Sequence, residues 1–373
     1  MAILSSIRGR NMEKKKKKAA DKTQGKLVRA AWCRLDDFDR LDREKTLFIL
    51  PVSSLEVHGY HLPNDTDMTS SMVLAEETGA LFARKHRDWA VVVLPLLNIG
   101  TDELPLPGSI EFSRTTVYRA LREYAWSLRR FGFTNLALAN GHGGLMHNIA
   151  LDDACRTCNR KYRMKMISPS VRVFQDFIFG KKFPLVERHL RRKLTDREKE
   201  GLTDLEHAGG WETSIVLAES PSLVSKDFRK YGSSMLRMSE STKKWARILE
   251  PIFWKLPVLK GIMKVLGVPL AEGFRIKATA DKMYDQKKER YTYSGDPSVA
   301  TADIGRAWKA AMADEIAALM EQVYITGTKR PSEIVSNYSA FLVLRRDFMV
   351  AASWILCILL FCLALAIRVG LLG

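Results

Sequence analysis

Residues 46–67 read TLFILPVSSLEVHGYHLPNDTD. The first part, Thr46 to Val52, is a compact apolar run of the kind that forms a buried strand. The second part, Ser54 to Asp67, follows at once and is crowded with carboxylates and imidazoles, ligand types that suit zinc and manganese. Glu56 and His58 are two positions apart, so in an extended segment their side chains point the same way. Asp67 closes the loop where a helix begins, and taken alone it could simply cap that helix. So many ligand-type residues in so short a stretch argue for a site.

Working outward, strand and helix signals alternate. Met68 to Arg84 has helical spacing, Ala90 to Leu97 (AVVVLPLL) reads as a buried strand, and Thr115 to Phe131 as a helix. Asn135 to Asn140 is again a strand, followed by a glycine-rich turn and a helix from Leu145 to about Tyr162. Such alternation predicts an α/β fold with a mainly parallel sheet covered by helices. The chemistry of those sheets gathers at the carboxyl ends of the strands. A second polar cluster stands at such an end: Ala139-Asn140-Gly141-His142-Gly143-Gly144, where glycines let the chain turn sharply beside a projecting histidine. The third is Glu206-His207-Ala208-Gly209-Gly210-Trp211-Glu212-Thr213-Ser214. Its adjoining Glu206 and His207 make a workable acid/base pair, and Glu212 opens the next helix. Beyond Lys181 the pattern loosens. The apolar run 253–268 suits a membrane interface, an oligomer contact or a core cap equally, and Val299 to Tyr324 reads as a long amphipathic helix.

The 373 residues leave room for one large α/β domain with extensions, and a hydrophobic content of 46% supports a sizeable core. The net charge of +17 is concentrated in Lys14 to Lys18 and in Arg188, Arg191, Arg192 and Lys193. Such clusters suit nucleic acid or an anionic membrane surface. Aromatic residues are not interleaved with the basic ones, which argues against nucleic acid as a partner. Five cysteines are too few for a disulfide scaffold. Cys155 and Cys158 have no second pair to complete a zinc knuckle and read as helix packing, which fits a reduced compartment.

Residues 1–25 read as a disordered basic segment and carry no signal peptide. Positions 348–367, FMVAASWILCILLFCLALAI, hold no charged residue. About 20 apolar residues span a bilayer core, so this stretch predicts a transmembrane helix over 348–369, with a juxtamembrane linker at 329–347. The basic domain before it places the catalytic face in the cytoplasm, with the protein held by a single-pass C-terminal membrane anchor.

Taken in order, SLEVHGYHLPNDTD, ANGHGG and HAGGWETS resemble the three signature segments of the creatininase (creatinine amidohydrolase) family. Leu106-Pro107-Gly108-Ser109-Ile110 and Gly295-Asp296-Pro297 are weaker echoes. The resemblance covers roughly Trp32 to Tyr324, within a domain expected over 26–328. It implies a three-layer α/β/α sandwich, one or two divalent metal ions (zinc, manganese or iron), hydrolysis of C–N amide bonds, and a homo-oligomer, often a hexamer. Carried over by position, Glu56, His58, Asp67 and His142 match metal ligands, with Asp67 in the bridging place. His207 matches the catalytic histidine, with Glu206 beside it.

The departures redirect the reading. Creatinine hydrolases carry a glutamate two positions after the histidine of the G-H pair, where this chain has Gly144; for members with N-G-H-G-G the resemblance implies that the glutamate of the E-T-S segment, here Glu212, is the replacement ligand. Leu145 stands where the family usually has asparagine, and Asp102-Glu103-Leu104-Pro105 replaces a segment that usually holds a histidine. His61, Gly143, Gly144 and Trp211 are expected around the substrate or behind the ligands. The resulting expectation is a membrane-anchored amidohydrolase that uses metal-activated water on a cyclic amide, formamide or peptide-like substrate other than creatinine. The alternative is a catalytically inactive scaffold of the same fold, favoured by Gly144, Leu145 and the altered loop before Pro107.

Overall fold

The computed structural model describes residues 25–203, 206–234, 240–255, 292–340 and 345–368. The basic N-terminal run and most of the 253–268 segment lie outside the described residues. The chain opens with β1 (Leu27–Arg29), α1 (Leu35–Asp39), β2 (Thr46–Ser53) and α2 (Thr66–Lys85). Next come β3 (Ala90–Val93), β4 (Leu97–Asn98), α3 (Arg114–Arg130), β5 (Asn135–Ala139), α4 (Leu145–Tyr162) and β6 (Lys165–Ile167). The later helices are α5 (Ser170–Ile178), α6 (Phe183–Leu190), α7 (Asp196–Gly201), α8 (Gly210–Glu219), α9 (Glu240–Lys255), α10 (Ala302–Met320) and α11 (Arg346–Arg368).

The sheet runs β1-β3-β2-β5-β6, with β4 on the end of β2, and every strand pairing among the described residues is parallel. Strand β2 is buried along its whole length, as a central strand covered on both sides must be. Its two-residue period divides the core. Leu47 and Ile49 pack with Leu74 and Phe82 of α2, Trp211 of α8 and Trp308 of α10. Phe48, Leu50 and Val52 face Val117 and Leu121 of α3 and Leu151 of α4. Helices therefore cover both faces, as the alternating pattern predicts.

Two boundaries differ from the sequence reading, each for a local reason. AVVVLPLL is two strands, because Pro95 has no N–H to continue the ladder. The helix expected from Val299 starts at Ala302, where the Thr301 hydroxyl accepts the Ile304 N–H, and its last turn widens into a π turn at Glu321–Ile325.

The membrane reading is corrected. Among the described residues no helix is long and apolar enough to cross a membrane. Helix α11 opens on Arg346 and Asp347, and its side chains past position 359 lie outside the described residues. What remains falls short of the roughly 20 apolar residues a bilayer core demands. The described residues thus contradict the single-pass anchor and the cytoplasm-facing placement derived from it.

Positions 331–340, between α10 and α11, pack onto the sheet domain. Ile334 is fully buried in the α10 core. The Ser336 hydroxyl and N–H donate to Asp152 Oδ2 at 2.6 and 3.0 Å, the Ser339 hydroxyl donates to the same oxygen, and Arg156 donates to Ser339. Burial pushes the Asp152 carboxyl up to about 6, against the opposing pull of the serine hydroxyls and Arg156. A carboxyl raised on folding binds its proton more tightly in the native state. Its contribution is therefore complete below about pH 4 and is lost as pH rises through about 6, by at most about 3 kcal/mol. Asp152→Asn is expected to remove that dependence. Urea unfolding of both proteins at pH 4.5 and 7 checks it; a stability difference that does not shift toward the variant at the higher pH contradicts the assignment.

Candidate metal centre

Strands β2 and β5 are neighbours, with Pro51 opposite Ala139, so the loops that follow them emerge side by side at the carboxyl edge of the sheet. The first loop supplies Glu56 and His58, and Asp67 follows in the first turn of α2. Asp65, not Asp67, holds the position that precedes the helix, and it makes no side-chain capping bond. The Asp67 carboxylate turns inward and divides between two histidines. Its Oδ1 lies 3.1 Å from His58 Nε2 and its Oδ2 lies 2.8 Å from His142 Nδ1. Glu56 Oε2 is 3.1 Å from the same His142 nitrogen, and Glu212 Oε2, from the first turn of α8, is 3.5 Å from His58 Nε2. Two ligand groups result, Glu56-Asp67-His142 and His58-Asp67-Glu212, sharing Asp67 and each within 4.8 Å.

Every one of these five residues is at most 5% exposed. Their other atoms are tied to the backbone. His58 Nδ1 meets the Glu56 carbonyl at 2.9 Å and His142 Nε2 the Thr101 carbonyl at 3.2 Å, which turns the opposite nitrogen of each ring toward Asp67. Glu56 Oε1 accepts the Leu104 N–H at 2.7 Å and Glu212 accepts the Ala208 N–H at 2.5 Å. Partners of this kind fix ring orientation and tautomer at metal sites.

The turn carrying His142 is braced by two amides. Asn140 Oδ1 accepts the His142 N–H, Asn140 Nδ2 donates to the His142 carbonyl, and Asn148 donates to the carbonyls of His142 and Gly144. Gly141 has to be glycine, since a Cβ there would stand 2.6 Å from the Asp67 carbonyl oxygen. Gly144 is equally confined: its Cβ would lie 2.5 Å from His142 Nε2 and 3.0 Å from Asp102 Cβ. Gly143 meets nothing within 4 Å and is exposed.

The electrostatics fit a cation. Burial alone would lower the His58 imidazole, but the Asp67, Glu212 and Glu56 carboxylates outweigh it and hold its pKa near 10. Burial opposes protonation of His142 in the same way, and Glu56 and Asp67 hold it well above its ordinary value. Burial pushes Glu212 up to about 7. Asp67 lies close to both Glu56 and Glu212, and buried carboxylates so placed are costly without positive charge between them. Mixed imidazole and carboxylate donors suit zinc and manganese.

The remaining predicted residues fall in different places. His207 lies in the site, its ligand atom within 4.8 Å of those of Glu56 and His58, with Nε2 on the Val57 carbonyl at 2.9 Å. Burial lowers it to about 4, so its imidazole is neutral at neutral pH. Glu206, next in the chain, directs Oε1 to the Glu212 N–H and so holds the start of α8. His61 bridges the first loop to α8 through the Ala208 carbonyl at 2.9 Å and Thr213 at 3.2 Å, and stacks on Tyr231. Trp211 turns away from the site into an aromatic cluster with Phe177, Phe183 and Trp308, its indole N–H on the Leu202 carbonyl.

Two buried side chains near the ligands were given no site role by the sequence, although Glu103 lies in the altered segment before Pro107. Glu103 is 3% exposed with neither carboxylate oxygen in hydrogen-bond geometry, and burial pushes it up to about 7. His147 is fully buried, edge-on to His142 at 5.0 Å, with neither ring nitrogen bonded. The only sequence signal for His147 is its place one turn into the helix after GHGG.

A parallel α/β sheet with buried histidines and carboxylates gathered at its carboxyl edge makes a candidate site for divalent metal ions. A model of the creatininase family, creatinine amidohydrolase, matches residues 32–320, and the chain belongs to that family of metal-dependent amidohydrolases. The creatinine amidohydrolase of Pseudomonas putida is 28% identical over 196 residues, 48% of this chain and 67% of that protein. Among solved structures, a creatinine amidohydrolase (creatininase) superposes with a TM-score of 0.52 at 18% identity, covering 80% of this chain and 98% of its own. A manganese creatininase gives 0.52 at 18% identity, with 80% and 100% covered. A glutamate-to-glutamine mutant creatininase complexed with creatine gives 0.53 at 17%, with the same coverage. At these identities the structures speak for the fold.

Proposed function

We propose that the chain hydrolyses a C–N bond of a small cyclic amide, a formamide or a peptide-like substrate at a two-metal site. Glu56, Asp67 and His142 would hold one ion, and His58, Asp67 and Glu212 the other. The observation that carries this reading is the division of the Asp67 carboxylate, one oxygen to each histidine. Divalent ions held there would supply a polarised carbonyl and a water acidic enough to ionise near neutral pH. With its Nε2–H on the Val57 carbonyl, His207 keeps Nδ1 unprotonated. It can take a proton from the attacking water and return it to the departing nitrogen. Glu206 acts at one remove, by fixing the turn that presents Glu212. Glu212 replaces the glutamate that Gly144 lacks, which turns the reading away from creatinine itself.

A screen of amides, formamides and short peptides, with wild type and His142→Ala compared after loading with zinc or manganese, tests the proposal. Wild type is expected to turn over at least one class, and the variant none above the blank. Equal rates in the two proteins would refute the site. A wild-type protein that binds no metal, and whose stability is indifferent to chelator, would support the inactive scaffold.

A further inference from the structure

The first turn of α11 is tied to α3 and α4 through a buried carboxylate. Asp153 of α4 is 3% exposed and accepts from Arg114 of α3 at 2.5 Å, from Arg156 at 2.6 Å and from the Arg346 N–H at 3.1 Å. The Arg346 side chain leaves that junction and lies over the Tyr118 ring, 4.7 Å from its centroid. Arg114 and Arg156 take the two oxygens of Asp153, and Asp347 pairs with Arg345. Among the described residues no carboxylate is then left for the Arg346 guanidinium. The junction carries excess positive charge, and it lies at the N-terminal ends of α3 and α11, the ends that favour an anion.

Two hollows meet there. One, of about 180 Å³, is lined by Arg114, Thr115, Tyr118, Asp153, Arg346 and Met349. The other, of about 330 Å³, is lined by Arg346, Met349, Val350, Ser353, Trp354 and Cys357. They share Arg346 and Met349. The second set recurs at three- and four-residue spacing, so it follows one face of α11. From Arg346 to Cys357 that face runs about 16 Å. Past Arg346 it holds no charge, and Met349, Val350 and Trp354 are all about half exposed or more.

We propose that this groove binds a monomeric long-chain carboxylate, its head on Arg346 and Thr115 and its chain along Met349, Val350 and Trp354. A carboxylate matches one unpaired guanidinium in charge and in its planar, two-point geometry. A free phosphate would leave the apolar face unused, and an uncharged chain would leave Arg346 unanswered. None of the lining residues belongs to the metal ligand groups, so the site is tested without metal.

The full-length chain is titrated calorimetrically at neutral pH with decanoate, hexanoate, decanol and inorganic phosphate, each below any micellar concentration. Decanoate is expected to bind at least about tenfold more tightly than hexanoate, since each methylene moved out of water adds about fourfold. It is also expected to exceed decanol and phosphate by about tenfold, the worth of a charge-assisted hydrogen bond. Arg346→Gln keeps the backbone N–H on Asp153 and removes the charge. It is expected to weaken decanoate about tenfold, leave decanol as in wild type and change the melting temperature little. Val350→Asp, at an exposed position, is expected to abolish decanoate binding. A wild type that binds no decanoate overturns the proposal, as does unchanged decanoate affinity in either variant. Decanol as tight as decanoate would mean apolar adsorption alone, and hexanoate or phosphate as tight would mean a plain anion site; each result overturns the proposal.

Discussion

Asp67→Ala is expected to strip both metal positions at once, taking the metal content of the dialysed protein from about two ions per chain to none. Asp67 is the member common to the two ligand groups, and each of its oxygens faces a different histidine. Without it, each group retains one carboxylate and one imidazole, too few to hold zinc against dialysis when tetrahedral sites use three or four protein ligands. Glu212→Ala should behave differently, removing a ligand from the His58 group and leaving Glu56-Asp67-His142 whole, so that about half the metal remains. Elemental analysis of wild type and both variants reads the difference. An Asp67→Ala protein with its full complement of metal would contradict the shared-carboxylate arrangement.

The second large effect is expected at Gly144. The creatinine hydrolases that the sequence resembles carry glutamate at this position, so Gly144→Glu looks like a restoration. The geometry predicts damage. Even the first carbon of a side chain would lie 2.5 Å from His142 Nε2 and 3.1 Å from the Thr101 carbonyl, the pair whose hydrogen bond orients the ring. Losing an orienting partner of a metal ligand costs about 10- to 100-fold in affinity, and overpacking a filled region costs roughly 1–3 kcal/mol. Gly144→Glu and Gly144→Ala should both bind zinc more weakly by competition titration and melt earlier. Tighter binding by the glutamate variant would mean that the family's own ligand position is still usable.

The three polar clusters, their order and their attachment to strand ends were legible because each is compact in sequence and β2 and β5 follow simple apolar patterns. Direction was not legible. Glu206 and His207 adjoin, yet one turns to the α8 backbone and the other to the ligands. Trp211 and Glu212 adjoin too, and the helix sends the indole into the core and the carboxylate into the site. Adjacency in a sequence carries no sign for which side of the chain a residue leaves. Asp67 shows the converse: its place at a helix start is compatible with capping, and only its distances to His58 and His142 decide against that role. The 331–340 segment was illegible for a third reason. Nothing local marks it, and it docks on α4 because Ser336 and Ser339 find a buried aspartate far away in the chain.

The amide brace at Asn140 bears on how the protein ages. An asparagine followed by glycine is the dipeptide most prone to deamidation, in which the glycine nitrogen attacks the side-chain carbonyl and ammonia departs. Here that nitrogen is occupied by the Ser71 hydroxyl at 2.7 Å, and the Asn140 amide is pinned at both its oxygen and its nitrogen. Folding thus withholds the geometry the ring closure needs. An unfolded chain has no such shield, and conversion of Asn140 to aspartate would set a new negative charge beside the His142 carbonyl. Time spent unfolded would therefore leave a chemical scar at the turn that carries a candidate metal ligand.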